Sequence, residues 1–388
     1  MYPKFSDTLN DLLGTDLNLP IQTYGFFVAL AFLTGGVIMH FELKRREKTG
    51  QLSSLKKKFL KGKPASITDL LVSVIIGFII GFKLIGAFNN YDFFADNPQE
   101  YIFSGEGNFF GGIVFAVISA FLKYRSKEKE KLEKPLWVEE TVHPYQITGN
   151  IIVIAAFFGI LGAKVFDSIE HIDDLIADPI STIFSFSGLS FYGGFIFAAF
   201  AVSIYAERNK IPWPVIADVV APALILAYGI GRIGCQMSGD GCWGIPNLEP
   251  KPEWLGFLPN WMWAFDYPHN VINEGVHLSN CSGSHCFVLD KPVFPTPFYE
   301  TCMAVVIFLV LWFLRKKMRI PGLIFSLYLI LNGIERFVIE KIRINIKYDF
   351  LGMKVTQAEI IAVCLVIFGV LSIFYFRYRD RKLGKAVE

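Results

Sequence analysis

The sequence predicts an all-α integral membrane protein with about nine transmembrane helices, and three observations carry that expectation. Of 388 residues, 53% are hydrophobic and 19% charged, whereas a soluble domain is about a quarter charged. The mean hydropathy is +0.43. Apolar stretches long enough to cross ~30 Å of hydrocarbon recur along the whole chain. This composition excludes a disordered chain, a fibrous repeat and an ordinary soluble enzyme. A net charge of +2 gives no sign of a nucleic-acid partner.

In chain order the spans are expected at 23–40, 67–87, 109–122, 145–166, 189–205, 214–235, 297–314, 321–340 and 358–376. Met1 to Pro20 is polar and acidic with no basic n-region, so the first apolar stretch is expected to stay in the mature protein. The connections alternate in charge. The segments 44–63, 123–134, 208–210, 315–319 and the tail from Arg377 hold 26 of the 37 basic residues, and the opposite side holds 7. The positive-inside rule places the basic side in the cytoplasm. The N-terminus is then outside and the C-terminus inside.

The largest outer segment, 238–296, is too long and polar for a tight turn. Its Trp254, Trp261 and Trp263 suit a small extracytoplasmic head at the membrane interface. The six cysteines form no CxxC pair or Cys/His zinc spacing, so a structural metal is not expected. Cys281 and Cys286 share one polar loop and can form a local disulfide in an oxidising compartment.

The chain also repeats itself. Ile80-Gly81-Phe82-Lys83 is followed by Phe109-Phe110-Gly111-Gly112, and Leu161-Gly162-Ala163-Lys164 by Phe191-Tyr192-Gly193-Gly194. Both intervening loops hold Ile-Phe-Ser, at 102–104 and 183–185. The pattern describes a parallel duplication of one hairpin, 67–122 and 145–205, within a single polytopic domain. Repeats are common in transporters, so a lipid or small-anion transporter is the alternative reading. A membrane scaffold is a third. Tyr192 stands where the first copy has Phe110, which suggests that chemistry stayed with the second copy.

Charges inside spans cost roughly 2.5–3.5 kcal/mol each at mid-bilayer, which makes them functional suspects. Lys83 and Lys164 lie near span ends, where snorkelling competes, and Asp218 can cap or pair. Three clusters are harder to dismiss. Gly231-Arg232-Ile233-Gly234-Cys235 leads into the turn Ser238-Gly239-Asp240-Gly241-Cys242-Trp243-Gly244. A guanidinium among free backbone N–H groups makes an anion site. In Glu335 to Arg343, Arg336 and Glu340 are four apart and share a face, and Arg343 extends the stripe. Pro295 to Glu300 opens a helix, where a Glu suits the dipole without further function. All three fall on the outer face in the charge-derived topology, which suggests a phospholipid headgroup as substrate.

These residues resemble the bacterial phosphatidylglycerol–prolipoprotein diacylglyceryl transferase family. Gly231 to Gly234 with Gly239-Asp240 and Trp243-Gly244 match its glycine-arginine signature, and Tyr24-Gly25 its N-terminal pair. Asp218 with Ala221-Pro222, Pro295 to Glu300, the Arg336, Glu340 and Arg343 set, and Thr356-Gln357 match in order. The resemblance implies a seven-helix core plus one extra hairpin, the first copy. It implies transfer of the sn-1,2-diacylglyceryl group from phosphatidylglycerol to the lipobox cysteine thiol of a prolipoprotein, with glycerol-1-phosphate leaving. That chemistry belongs at the outer face of the bacterial inner membrane. No metal or organic cofactor is implied.

Arg232 and Arg336 are the expected phosphate ligands, because preorganised cations act where charge develops. Arg343 and Lys164 come second. Tyr24, Gly193, Gly194, Gly231, Gly234, Cys235, Ser238, Asp240, Gly244, Tyr299 and Glu300 are expected to line the substrate site. This chain departs from the family at Tyr192, where a histidine is usual, and at Cys235, where an asparagine is usual. A phenol near pKa ~10 is a weaker base than an imidazole near ~6.5. Thiol deprotonation is left open among Tyr192, Glu340, Asp240 and an electropositive pocket without a strong base.

Overall fold

The computed structural model describes residues 1–96, 98–179, 190–281, 283–345, 347–350 and 352–385. It is mostly helical, and the described residues form three short two-stranded antiparallel sheets. Among the described residues, seven helices are long and apolar enough to cross a membrane. They lie within α2 (Thr23–Lys48), α3 (Ile67–Asn89), α6 (Phe109–Glu130), α7 (Thr148–Glu170), α10 (Trp213–Ser238), α11 (Thr296–Leu314) and α13 (Gln357–Lys385). The two other expected spans are also helices, α9 (Phe191–Arg208) and α12 (Leu323–Glu340), each of 18 residues. They carry charges at their C-terminal ends: Glu207 and Arg208 in α9, and Glu335, Arg336 and Glu340 in α12. Shorter helices are α1 (Phe5–Leu13), α4 (Tyr91–Asp96), α5 (Pro98–Phe103) and α8 (Ile172–Ala177).

The chain forms two compact units, residues 16–21 with 54–143, and the remainder. In the smaller unit, α3 and α6 form a hairpin, and β1 (Leu55–Lys61) pairs antiparallel with β2 (Leu136–Val142). Ser66 and Asp69 cap α3 reciprocally, each side chain bonding the other's backbone N–H at 3.1 and 3.2 Å. Asn108 caps α6 by accepting from Gly111 N–H at 2.8 Å. Lys83 does not snorkel into solvent. Its ammonium donates to the carbonyls of Tyr101, Ser104 and Glu106 at 2.6–2.8 Å and holds the connecting loop closed.

The larger unit repeats that hairpin in α7 and α9. A Cβ on Gly81 would strike the Gly111 carbonyl and Phe115, and one on Gly162 would strike the Gly193 carbonyl and Phe197. The two crossings therefore use glycines at matching positions to bring backbones together, as helix packing in lipid favours. The loop residues Ile183, Phe184 and Ser185 of the second copy lie outside the described residues.

The core of the larger unit sits between α10, α11 and α12, where Ala221, Ile225, Ala304, Leu311 and Ile324 are buried. Lipid removes most of the hydrophobic drive between helices, so close approach matters. A Cβ at Gly229 would lie 2.9 Å from that of Ala304. Thr301 Oγ1 donates to the Gly229 carbonyl at 3.2 Å.

This unit also holds a buried charge cluster in which helical spacing marks Glu42 with Arg45 and Arg46 but not with Arg315 or Asp218. Glu42, wholly buried, accepts from Arg45, Arg46 and Arg315 at 2.5–2.9 Å. Asp218, 1% exposed, accepts from the backbone N–H groups of Gly322 and Phe325 at 2.9 Å and pairs with Arg46 at 3.4 Å. It caps the start of α12 from a different helix, where a carboxylate meets the positive end of the dipole. Asp218→Ala is expected to destabilise the protein by about 2 kcal/mol through the lost charged hydrogen bonds. An unchanged melting temperature in detergent would show that the cap carries no stability.

The segment 239–295 forms a small head with Trp243, Tyr267 and Val293 at its core. Burial pushes the Tyr267 phenol up, and its hydroxyl donates to Gln236 Oε1 at 2.7 Å. Asn270, wholly buried, donates to the carbonyls of Tyr267, Glu274 and Phe287 and accepts from Glu274 N–H. Cys281 and Cys286 are joined as a disulfide. Of the three expected interfacial tryptophans, Trp254 is 75% exposed, while Trp263 Nε1 is bonded to the Glu249 carbonyl at 2.9 Å.

Candidate anion site

Three arginines from two helices and a loop converge on one carboxylate. Glu300 of α11 is wholly buried. Arg232 Nε of α10 lies 2.8 Å from its Oε2, and Arg343 Nη1 and Arg336 Nη1 lie 3.3 and 3.6 Å from its Oε1. Arg336 also pairs with Glu340 on its own helix at 3.1 Å, the four-residue spacing predicted from sequence. Asn345 Nδ2 donates to the other oxygen of Glu340 at 2.5 Å.

Two expectations are corrected here. Glu300 lies beyond the first turn of α11 and is not a dipole cap; it is the anion that holds the guanidinium groups together. Arg343 does not extend the stripe of α12, because that helix ends at Glu340. A chain crossing delivers it instead: Gly244 forms an isolated antiparallel bridge with Arg343, and Ile245 N–H donates to the Ile342 carbonyl at 2.8 Å. A Cβ at Gly244 would collide with that same carbonyl, which is why glycine stands there.

Three guanidinium groups gather round Glu300 and Glu340, and a third carboxylate, Glu335, lies in the same cluster. Arg232 also lies 5.2 Å from the centre of the Tyr228 ring. A Cβ on Gly231 would meet nothing within 4 Å, leaving open space beside Arg232. Glu335 was missed by residue spacing. It is 3% exposed, and neither carboxylate oxygen has a hydrogen-bond partner among the described residues. Its place next to Arg336 turns it to a different helix face, so no pairing rule finds it.

The turn after α10 adds a second chemistry. Gly239 and Gly241 adopt φ of +66° and +86°, a left-handed conformation that side chains resist. They fold Asp240 and Cys242 back over the helix end. The Sγ atoms of Cys235 and Cys242 and a carboxylate oxygen of Asp240 lie within 4.8 Å of one another. Asp240 Oδ1 accepts from Cys242 N–H at 3.2 Å, and Thr296 Oγ1 donates to the Cys242 carbonyl at 2.7 Å. The Cys242 thiol is held below its ordinary pKa, chiefly by its hydrogen bond with Cys235. Ser238 is 1% exposed, and its Oγ has no partner among the described residues.

Other expected site residues have clear places. Tyr24 lies close enough to feel the charges of Arg232, Cys235, Asp240 and Cys242. A Cβ on Gly234 would stand 3.0 Å from Phe27 and 3.4 Å from Tyr24, so this glycine seats α2 against α10. Gly193 and Gly194 are buried in the hairpin crossing with α7. Tyr299 donates its hydroxyl to the Met262 carbonyl at 2.8 Å and so ties α11 to the head. Lys164 pairs with Asp167 at 3.2 Å. Tyr192 is 38% exposed at the start of α9, on the hairpin rather than on the helices that carry the arginines.

Fold and site together define a multi-pass membrane protein with a buried cluster of arginines and carboxylates beside a small head. The profile of the family described as prolipoprotein diacylglyceryl transferase matches residues 14–152 and 133–375. The chain belongs to that family. Three similar proteins all carry the name phosphatidylglycerol–prolipoprotein diacylglyceryl transferase. The one from Leptospira interrogans is 29% identical over 164 residues, 42% of this chain and 44% of its own length. That from Symbiobacterium thermophilum is 29% identical over 243 residues, 60% and 78%. That from Corynebacterium glutamicum is 25% identical over 248 residues, 63% and 73%. The chain thus spans under half the length of the first of these relatives and about three quarters of the other two.

Proposed function

We propose that this protein transfers the sn-1,2-diacylglyceryl group of phosphatidylglycerol to the lipobox cysteine thiol of prolipoproteins, the first step of bacterial lipoprotein maturation. The convergence of Arg232, Arg336 and Arg343 on buried Glu300 carries the reading. The thiol loses its proton to water in the electropositive site, and the thiolate sulfur attacks the glyceryl carbon that bears the phosphate. The carbon–oxygen bond breaks, its electron pair stays on the phosphate oxygen, and glycerol-1-phosphate leaves. Charge grows on that phosphate in the transition state. Guanidinium groups already fixed by Glu300 and Glu340 meet it without reorganisation, and Arg232 and Arg336 supply the phosphate contacts. Tyr24, Gly231, Ser238, Asp240 and Gly244 line the site, Arg343 adds positive charge at Glu300, and Lys164, paired with Asp167, is a further basic residue of the site.

In the membrane the nine helices span the bilayer of the inner membrane with the N-terminus outside, the C-terminus cytoplasmic and the head and arginine pocket outside. Residues 67–122 are the added hairpin, and 145–205 is the copy kept with the chemistry. Transport is the weaker reading, because the strongest charges lie outside the repeat and Lys83 is engaged by its own loop. Purified protein incubated with phosphatidylglycerol and a lipobox peptide should yield the thioether adduct by mass. Absence of adduct, with lipid flux in proteoliposomes, would favour the transporter.

Tyr192 orients lipid or thiol beside the pocket rather than taking the proton. Tyr192→Phe is therefore expected to lower turnover, while Tyr192→His retains it. Equal turnover in wild type and Tyr192→Phe removes Tyr192 from the mechanism.

A further inference from the structure

We propose that Cys235, Cys242 and Asp240 bind a borderline-soft divalent metal ion of the zinc type, and that this ion activates the acceptor thiol. The inference rests on the transferase reading above. It starts from Cys235, a thiol where the family usually has an asparagine, and from a second thiol across the Gly-rich turn at Cys242. The sequence shows no zinc spacing, because the pair is separated by six residues that include the end of α10. Folding removes that separation and places both sulfurs and an Asp240 oxygen within 4.8 Å of one another.

The donor set fits the ion. Thiolate and carboxylate oxygen are ordinary zinc ligands, at about 2.3 and 2.0–2.2 Å. A tetrahedral ion at those lengths separates its donors by roughly 3.5–3.8 Å, inside the observed limit. Asp240 is already oriented by the Cys242 N–H, the kind of outer contact that fixes a ligand. Two thiolates, a carboxylate and a divalent ion sum to one negative charge. Arg232, whose Nη1 donates to Cys235 Sγ at 3.8 Å, offsets it.

Three protein donors leave a fourth position open, which is the pattern of catalytic rather than structural zinc. Cys235 is buried, whereas Asp240 and Cys242 are only half-buried, so the open side faces outward from the helix end. An acceptor thiol entering that position loses its proton to water on coordination, since a coordinated thiol is deprotonated outright. Its sulfur then attacks the glyceryl carbon as the carbon–phosphate-oxygen bond breaks. The electron pair leaves on the phosphate beside Arg232, and the neutral thioether is a weaker ligand and departs. The proton that a histidine would accept elsewhere in the family is here displaced by the metal. Tyr192 is thereby relieved of acting as a base.

Cobalt(II) titration of the full-length, detergent-solubilised, reduced and metal-stripped protein tests this. A saturable thiolate-to-cobalt charge-transfer band is expected, lost in Cys235→Ser and Cys242→Ser and kept in Cys364→Ser and in the Cys281→Ser/Cys286→Ser double variant. A lipobox peptide should shift the cobalt d–d bands, and its Cys→Ser counterpart should not. Turnover should fall to background on metal stripping and return with zinc. No band in the wild type, a band surviving both single-cysteine variants, or full turnover with a Cys235–Cys242 disulfide each overturns the metal site. A band with the peptide shift but no thioether adduct instead leaves the metal site standing and removes the transferase reading.

Discussion

Arg232→Ala abolishes turnover while the protein stays folded. Losing one preorganised donor at a centre of developing charge costs about 100- to 1,000-fold in rate. The fold tolerates the change because Glu300 keeps Arg343 and Arg336 at 3.3 and 3.6 Å. Arg232→Lys recovers only part of the rate, since an ammonium cannot reproduce the planar fork that meets phosphate and carboxylate together. Arg336→Ala follows the same pattern and also frees Glu340. The measurement is adduct formation by mass against time, alongside the elution profile and melting curve of each variant in detergent. Wild-type turnover in Arg232→Ala would end its phosphate role. Loss of the folded protein would make Arg232 a structural residue.

Glu300→Ala is expected to lower stability strongly. Its carboxylate is wholly buried with three guanidinium groups around it. Removing one partner of a buried ionic set costs about 3–5 kcal/mol, because the remaining charge is left uncompensated. Among the described residues, Arg232 and Arg343 would then have no carboxylate within ion-pair distance, since Glu340 pairs with Arg336. Glu300→Gln keeps the shape and an accepting oxygen but not the charge, so it melts between wild type and Glu300→Ala. Both variants lose transfer, because the arginines no longer hold position for a phosphate. A melting temperature for Glu300→Ala equal to that of Glu340→Gln would show that Glu300 is not the hub.

Much of the architecture was legible from residue order alone. Span positions follow from local hydropathy, and each expected span is a helix. The Gly-Gly pairs stood out in the sequence, and in the structure Gly81 meets Gly111 and Gly162 meets Gly193 at matching crossings. The Arg336–Glu340 pair followed from helical spacing, and the disulfide from two cysteines in one short loop. Each of these depends on residues close in sequence, so local rules reach them.

Other features needed the folded chain. Glu300 and Arg232 are 68 residues apart and meet only because α10 and α11 pack closely at Gly229 and Ala304. Arg343 looked like the next position on a helical stripe, yet α12 stops and a bridge to Gly244 carries it in. Asp218 caps a helix that begins 105 residues later. Helical spacing marks Glu42 with Arg45 and Arg46, but nothing local joins it to Arg315, 273 residues on. The Cys235, Asp240 and Cys242 group has no motif spacing and exists only because two left-handed glycines reverse the chain. By itself the sequence determined the membrane class, the helices, the repeat and the family signature, because apolar burial and helical periodicity are local properties. Which charge neutralises which was decided by the tertiary structure, because ion pairs act through space across helices far apart in the chain.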